Sequence, residues 1–155
     1  MTDARSNSLR FGWLLPGRLA GSRRPDGEPD YEVLKSQGVR MLVSLLEYGG
    51  VPHFAPKYGF EHVHLPIDDG RPPTLAQLDH FIDLVRSRGG GCVHCLAGIG
   101  RTGCMLTGFL IRARGVDPYN AICEVEQSRV YAFQTSIQEN WLYGLTPRLL
   151  PGEED

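Results

Sequence analysis

Apolar positions along the chain recur in two different periods, and the switches between them divide it into short strands and longer helices. Trp13 to Leu15 and Arg18 to Ala20 are short apolar runs on either side of the turn pair Pro16-Gly17, which predicts two strands joined tightly. A Gly/Pro/Arg-rich connection follows from Gly21 to Pro29, and Tyr31, Val33 and Leu34 then mark a short helix ending at Gly38. Val39 to Leu46 is a largely apolar run expected to be a strand, and His62 to Ile67 alternates in the manner of a second central strand. The breaker-rich segment IDDGRPP, residues 67–73, predicts a loop.

Helical spacing dominates from there. Thr74 with Gln77 three positions on forms a capping box, and Leu75, Leu78, Phe81, Ile82 and Val85 recur at helical intervals before Gly89 stops the run. Cys92-Val93-His94 predicts a strand, followed by a glycine-rich turn and a helix carrying Met105, Leu106, Phe109 and Leu110 as far as Gly115. Asp117 and Pro118 suit the N-cap and first turn of a helix reaching Ser128, and a last helix is expected over about Thr135 to Gly144. Strands separated by helices predict a single α/β domain with a largely parallel central sheet flanked by helices on both faces. The domain is expected over residues 11–147, with mobile ends at 1–10 and 148–155.

Bulk properties narrow the function. The chain has 155 residues, the length of one ordinary domain, with 41% hydrophobic and 22% charged residues and a formal charge of −2. That charge provides no field to attract nucleic acid or an anionic membrane. The opening residues lack a secretory apolar stretch and no apolar run is long enough to span a bilayer, so the expectation is a cytoplasmic protein with no membrane partner. Cys92, Cys95, Cys104 and Cys123 would then face a reducing compartment, where a thiol is more often catalytic, metal-bound or packed than paired.

The chemistry concentrates in His94-Cys95-Leu96-Ala97-Gly98-Ile99-Gly100-Arg101-Thr102, a strand end passing through two glycines into a helix. Small residues let successive backbone N–H groups turn inward, and the free amides of the helix start add partial positive charge, so the segment is built to hold an anion such as phosphate. Arg101 can offer two phosphate oxygens a planar fork of donors. Cys95, at the base of this cradle, is placed where a helix N-terminus and a cation favour the thiolate, which can attack phosphorus and form a phosphocysteine that water later cleaves. A carboxylic acid nearby would protonate the leaving group, and Asp68 and Asp69 in the preceding loop both qualify by spacing.

HCLAGIGRT resembles the HC, five residues, RT signature of the protein tyrosine phosphatase superfamily. WLLPGRLAGS, VRMLVSLLE, LPIDDGRPPT and the QTSIQEN segment extend the resemblance over roughly residues 11–145 to the small atypical dual-specificity phosphatases. The resemblance implies Cys95 as nucleophile, Arg101 as transition-state clamp, and the amides of Leu96, Ala97, Gly98, Ile99, Gly100 and Arg101 as the phosphate cradle. It implies that His94 tunes the thiolate, that Thr102 donates its hydroxyl to the sulfur, that Asp69 is the general acid, and that Gln134 positions the hydrolytic water, with Gln138 also matching the family's pattern. It further implies phosphotyrosine, or phosphoserine and phosphothreonine, proteins as substrates and no cofactor or metal. Because relatives that take polyphosphorylated inositides tend to place lysines in this loop, the resemblance also implies that the apolar Leu96 and Ile99 disfavour that substrate class. The chain departs from the family at Cys104, where a small hydroxyl residue is usual, and at Ser128-Arg129-Val130, where an Arg-Pro pair is common.

Other readings compete. Cys92 and Cys95 are spaced as a CxxC redox or zinc motif, but no second CxxC accompanies them. A phosphate-binding module without turnover, or a phosphatase acting on a non-protein ester, would share the same cradle.

Overall fold

The computed structural model describes residues 8–129 and 131–148. Among them, five strands form one sheet in the order β1-β2-β5-β3-β4: β1 (Gly12–Leu15), β2 (Leu19–Ser22), β3 (Met41–Ser44), β4 (Glu61–His64) and β5 (Gly91–His94). β1 and β2 form an antiparallel pair, and every other pairing is parallel. Five helices connect or follow them: α1 (Glu28–Ser36), α2 (Leu75–Arg88), α3 (Gly100–Arg114), α4 (Pro118–Ser128) and α5 (Ser136–Tyr143). A 3-10 turn, Ala55–Tyr58, precedes β4.

Strand alternation splits the interior into two cores. Leu19, Val43 and Val93 face the larger one, built with Leu78, Phe81, Ile82 and Val85 of α2, much of α3, Val125 of α4 and Leu142 of α5. Ala20, Leu42 and Cys92 face the smaller one, with Tyr31 and Leu34 of α1 and the aromatic residues Tyr58 and Phe60. Helices therefore cover both faces, as expected, but four lie on one side and one on the other. α3 runs through the larger core and is buried on nearly every side, as a helix apolar around its circumference should be.

The predicted caps hold. Thr74 accepts from the Gln77 N–H at 3.0 Å while Gln77 Oε1 accepts from the Thr74 N–H at 2.9 Å. Asp117 accepts from the Asn120 N–H at 3.0 Å. Two strand expectations need correction. The run from His62 to Ile67 is not a central strand: β4 ends at His64 and lies at the sheet edge, paired with β3 alone, and its burial is slight because only one of its faces meets the core. The strand expected over Val39 to Leu46 is only Met41–Ser44, since Val39 and Leu45 reach the core from the connecting chain. Of the ends expected to be mobile, residues 1–7 and 149–155 lie outside the described residues. Leu9 is fully buried, and its carbonyl accepts from the Arg23 N–H at 2.9 Å.

Candidate active site

Parallel pairing directs the carboxyl ends of β2, β5, β3 and β4 to one edge of the sheet, where ligands gather in such folds. Ser22 to Arg24, Cys95 to Ile99, Leu45 to Glu47 and Leu65 to Asp69 all leave the sheet there. The central position of β5 puts the cysteine loop in their midst. α3 follows that loop with no side-chain cap, whereas α2, α4 and α5 each carry one, so the first amides of α3 remain open to an external anion.

Cys95 is 3% exposed, at the floor of the site, and the Thr102 hydroxyl donates to its sulfur at 3.0 Å. Arg101, 4% exposed, uses one terminal nitrogen fully: Nη1 donates to Glu47 Oε1 and to the Ile67 carbonyl at 3.0 Å. Among the described residues its Nε has no partner, and Nη2 meets Asp69 Oδ1 at 3.7 Å. The guanidinium is thus clamped by one corner while its Nε/Nη2 edge stands open, the edge a tetrahedral oxyanion can accept from in bidentate fashion. The Arg101 guanidinium in turn holds the Glu47 carboxyl below its usual range.

The loop between them turns at Gly98, whose φ of +74° is a conformation side chains resist. A Cβ there would also lie 2.7 Å from Ser22 O and Arg23 N, so the cradle rests directly on the chain leaving β2. The Leu96 carbonyl accepts from the Arg24 N–H at 3.1 Å. His94 ends β5, buried, and burial pushes its imidazole down to about 4.

The carboxylate loop is built differently. Asp69 is 72% exposed at its side chain, Asp68 is also exposed, and the Asp68 carbonyl closes a turn with the Arg71 N–H at 3.0 Å. Of the two carboxylates, Asp69 is the one that reaches Arg101. The loop is fastened through its backbone to the start of α5: the Thr135 hydroxyl donates to the Gly70 carbonyl at 2.7 Å, and the Gln138 amide donates to the Arg71 carbonyl at 3.1 Å. Gln138, fully buried, also accepts from the Gln134 N–H at 2.8 Å. Gln134 lies over the start of α3, its Oε1 at 2.8 Å from where a Gly100 Cβ would stand.

The structure therefore gathers every residue of the sequence-derived set: His94, Cys95, Leu96 through Arg101, Thr102, Asp69 and Gln134. Sequence reasoning missed Glu47, Thr135 and the linking part of Gln138. An acid directly after an apolar strand run, at the sheet's ligand edge, was the available signal for Glu47. The CxxC spacing of Cys92 and Cys95 has no counterpart in space, because alternation sends Cys92 into the smaller core and Cys95 into the larger. Burial pushes the Cys92 thiol up to about 11 and the Cys104 thiol higher still. Among the described residues, no group of three or more His, Cys, Asp or Glu is arranged to hold a metal ion.

A parallel sheet ending in an open helix start, with cysteine, arginine and a loop aspartate around it, defines the class of the protein. The family model described as "Polymorphic toxin system, DSP-PTPase phosphatase" matches residues 20–115, and the chain belongs to that family, within the protein tyrosine phosphatase superfamily. Among individual relatives, it is 34% identical over 123 residues to the tyrosine-protein phosphatase CDC14 of Candida albicans, covering 75% of this chain and 22% of that protein. It is 32% identical over 93 residues to the protein tyrosine phosphatase PRL-1 of Trypanosoma cruzi, covering 56% of this chain and 52% of that one. The chain thus spans between about a sixth and a half of the length of the curated relatives it matches. Its fold superposes on the crystal structure of Tk-PTP in its active form with a TM-score of 0.71 and 28% identity, covering 86% of this chain and 93% of that one. Human DUSP28 aligns with a TM-score of 0.67 at 25% identity, covering 85% and 90%.

Proposed function

We propose that this chain is a cysteine-dependent protein tyrosine phosphatase of dual-specificity type, hydrolysing phosphate monoesters of phosphotyrosine proteins, and of phosphoserine or phosphothreonine proteins, in the cytoplasm. One observation carries the reading: the buried Cys95 sulfur, with the Thr102 hydroxyl on it, shares its site with an Arg101 guanidinium held at Nη1 by Glu47 and the Ile67 carbonyl, whose Nε is unpartnered among the described residues and whose Nη2 meets Asp69 at 3.7 Å. Family membership and the named phosphatases among the relatives support it. Four free cysteines suit a reducing compartment.

In this reading the Cys95 thiolate attacks phosphorus in line, and the S–P bond forms as the P–O bond to the leaving group breaks. Arg101 and the amides of residues 96–101 stabilise the charge that develops on the equatorial oxygens. Asp69 gives its proton to the departing oxygen, a role supported by its carboxylate lying 3.7 Å from Arg101 Nη2. Water activated by the Asp69 carboxylate, positioned by Gln134, then cleaves the S–P bond, and the Thr102 hydroxyl stabilises the departing sulfur. The charge at phosphate is met by guanidinium and amides, so hydrolysis should proceed without added metal.

The test is hydrolysis of para-nitrophenyl phosphate and a phosphotyrosine peptide in a chelator. Native chain should turn over, and Cys95→Ser should lose at least ~10⁴-fold, since nucleophile removal abolishes the covalent route. Unchanged turnover in that variant, or tight phosphopeptide binding by native chain with no product, would overturn the assignment.

A further inference from the structure

Arg129 enters the sequence only as a departure from the common Arg-Pro pair, yet its guanidinium lies behind the phosphate cradle. Its backbone closes α4, the N–H donating to the Val125 carbonyl at 2.7 Å. From there Nη2 donates to the Gly98 carbonyl at 2.6 Å and Nη1 to the Arg10 carbonyl at 3.1 Å. The space it occupies is reserved by a glycine: a Cβ on Gly21 would stand 2.8 Å from Arg129 Nη1, 2.9 Å from Leu106 Cδ1 and 3.0 Å from Thr102 Cγ2. The guanidinium is therefore wedged between β2, the cradle and the residue whose hydroxyl meets the Cys95 sulfur. Burial pushes it below its ordinary value, and the sulfurs of Cys92 and Cys95 act in the opposite sense.

What this contact does follows from peptide geometry. A trans peptide carries its C=O and N–H on opposite edges of one plane. With the Gly98 carbonyl drawn back to Arg129, the Ile99 N–H on the same peptide is directed to the other side of the loop. The Arg24 N–H holds the Leu96 carbonyl in the same way, which directs the Ala97 N–H forward. Between these two anchors lies Gly98, with the positive φ that reverses the loop. A backbone hydrogen bond anchors the first peptide, and a single side chain anchors the second.

We propose that Arg129 is a positioning residue for phosphoryl transfer, aiming the Ile99 amide into the cradle by holding the Gly98 carbonyl outward. The inference rests on the phosphatase reading of the cradle. It differs from a purely structural clamp in what it touches: a clamp joining α4 to the loop affects unfolding, whereas a residue that aims an amide affects the charge developed at phosphorus.

The experiment compares the full chain with Arg129→Met, Arg129→Lys and Gly21→Ala, each assayed well below its own melting temperature. kcat and KM are read with para-nitrophenyl phosphate, and Ki with vanadate, whose trigonal oxygens resemble the transferring phosphoryl group. Removing one preorganised donor from an oxyanion site costs ~10² to 10³-fold in kcat, so misaiming one should give Arg129→Met a loss of ~10 to 10²-fold, with a similar weakening of vanadate and little change in KM. Arg129→Lys, which keeps the charge but not the fork, should recover part of both, and Gly21→Ala, which displaces the guanidinium without removing it, should show a smaller loss in the same direction. An Arg129→Met chain that melts earlier but keeps kcat and vanadate affinity within about twofold overturns the proposal. If that variant does not fold, native values of kcat and Ki in both Arg129→Lys and Gly21→Ala overturn it instead. Loss of turnover in Cys95→Ser alongside either null result would leave the phosphatase reading standing and remove only the role of Arg129.

Discussion

The cradle and the carboxylate loop meet at one site but are held by opposite means. Cys95 and Arg101 are 3% and 4% exposed and belong to the buried wall of α3 and β5, while the Asp69 side chain is 72% exposed, with Arg101 Nη2 at 3.7 Å. In the cradle, side chains are fixed and their hydrogen bonds are internal: Thr102 donates to the Cys95 sulfur, and Arg101 donates to Glu47 and the Ile67 carbonyl. In the loop only the backbone is fixed, through Thr135 on Gly70 and Gln138 on Arg71. The difference matches the two tasks proposed for them. Charge stabilisation at phosphorus needs donors that do not reorganise during reaction, whereas a proton donor must accommodate leaving groups of different shape.

Substitutions in the two regions should therefore fail differently, and the largest effect is expected in the cradle. Arg101→Lys keeps a positive charge but cannot present two parallel donors while also holding Glu47 and Ile67, so kcat should fall ~10³-fold, at the upper end for a lost oxyanion donor. A loss below tenfold would mean that the fork is not used. Asp69→Asn should slow para-nitrophenyl phosphate ~10²-fold, the low end for general acid catalysis because para-nitrophenolate leaves easily. It should also flatten the basic limb of the pH–rate profile, while Asp68→Asn should do little. Equal effects of the two would dissolve the assignment.

Acid should separate the regions again, this time through stability. Burial pushes the His94 imidazole from the ordinary 6.5 down to about 4, so the unfolded chain takes up this proton before the folded one does. Its contribution is complete above pH 6.5 and is lost as pH falls from there toward 4, by ~2 kcal/mol at pH 5. Urea midpoints at pH 7 and pH 5 should fall more for native chain than for His94→Gln, and equal falls would clear His94 of the effect. The mildest change is Thr135→Val. It removes an N-cap, worth ~1 kcal/mol of stability, and frees the Gly70 carbonyl, so kcat should drop up to about tenfold through misplacement of Asp69. In an Asp69→Asn background the kcat effect should vanish while the stability loss remains, since residues acting through one another are not additive.

Legibility in the sequence also differed between the two regions. The residues proposed for the cradle could be picked out in the sequence because cysteine, glycines and arginine are contiguous, in a strand-glycine-helix passage that leaves many amides free. The helices of residues 74–89 and 117–128 were readable from Thr74 and Asp117, whose caps are local contacts. β4 was misjudged as central because alternation reports that one face is buried, and an edge strand satisfies that as well as an interior one. Glu47 and Arg129 were missed since their partners lie 54 and 31 positions away, on Arg101 and on Gly98.

Sequence alone determined the α/β class and the helix starts and pointed to the segment proposed to react, all of which depend on neighbours within a few positions. Only the tertiary structure decided which corner of Arg101 is clamped and which edge is open, which carboxylate of the pair at 68 and 69 reaches it, and what lies behind the cradle. Those are distances between segments far apart in the chain, set by strand order and by the packing of α3, α4 and α5 on the sheet. Local spacing carries no information about them.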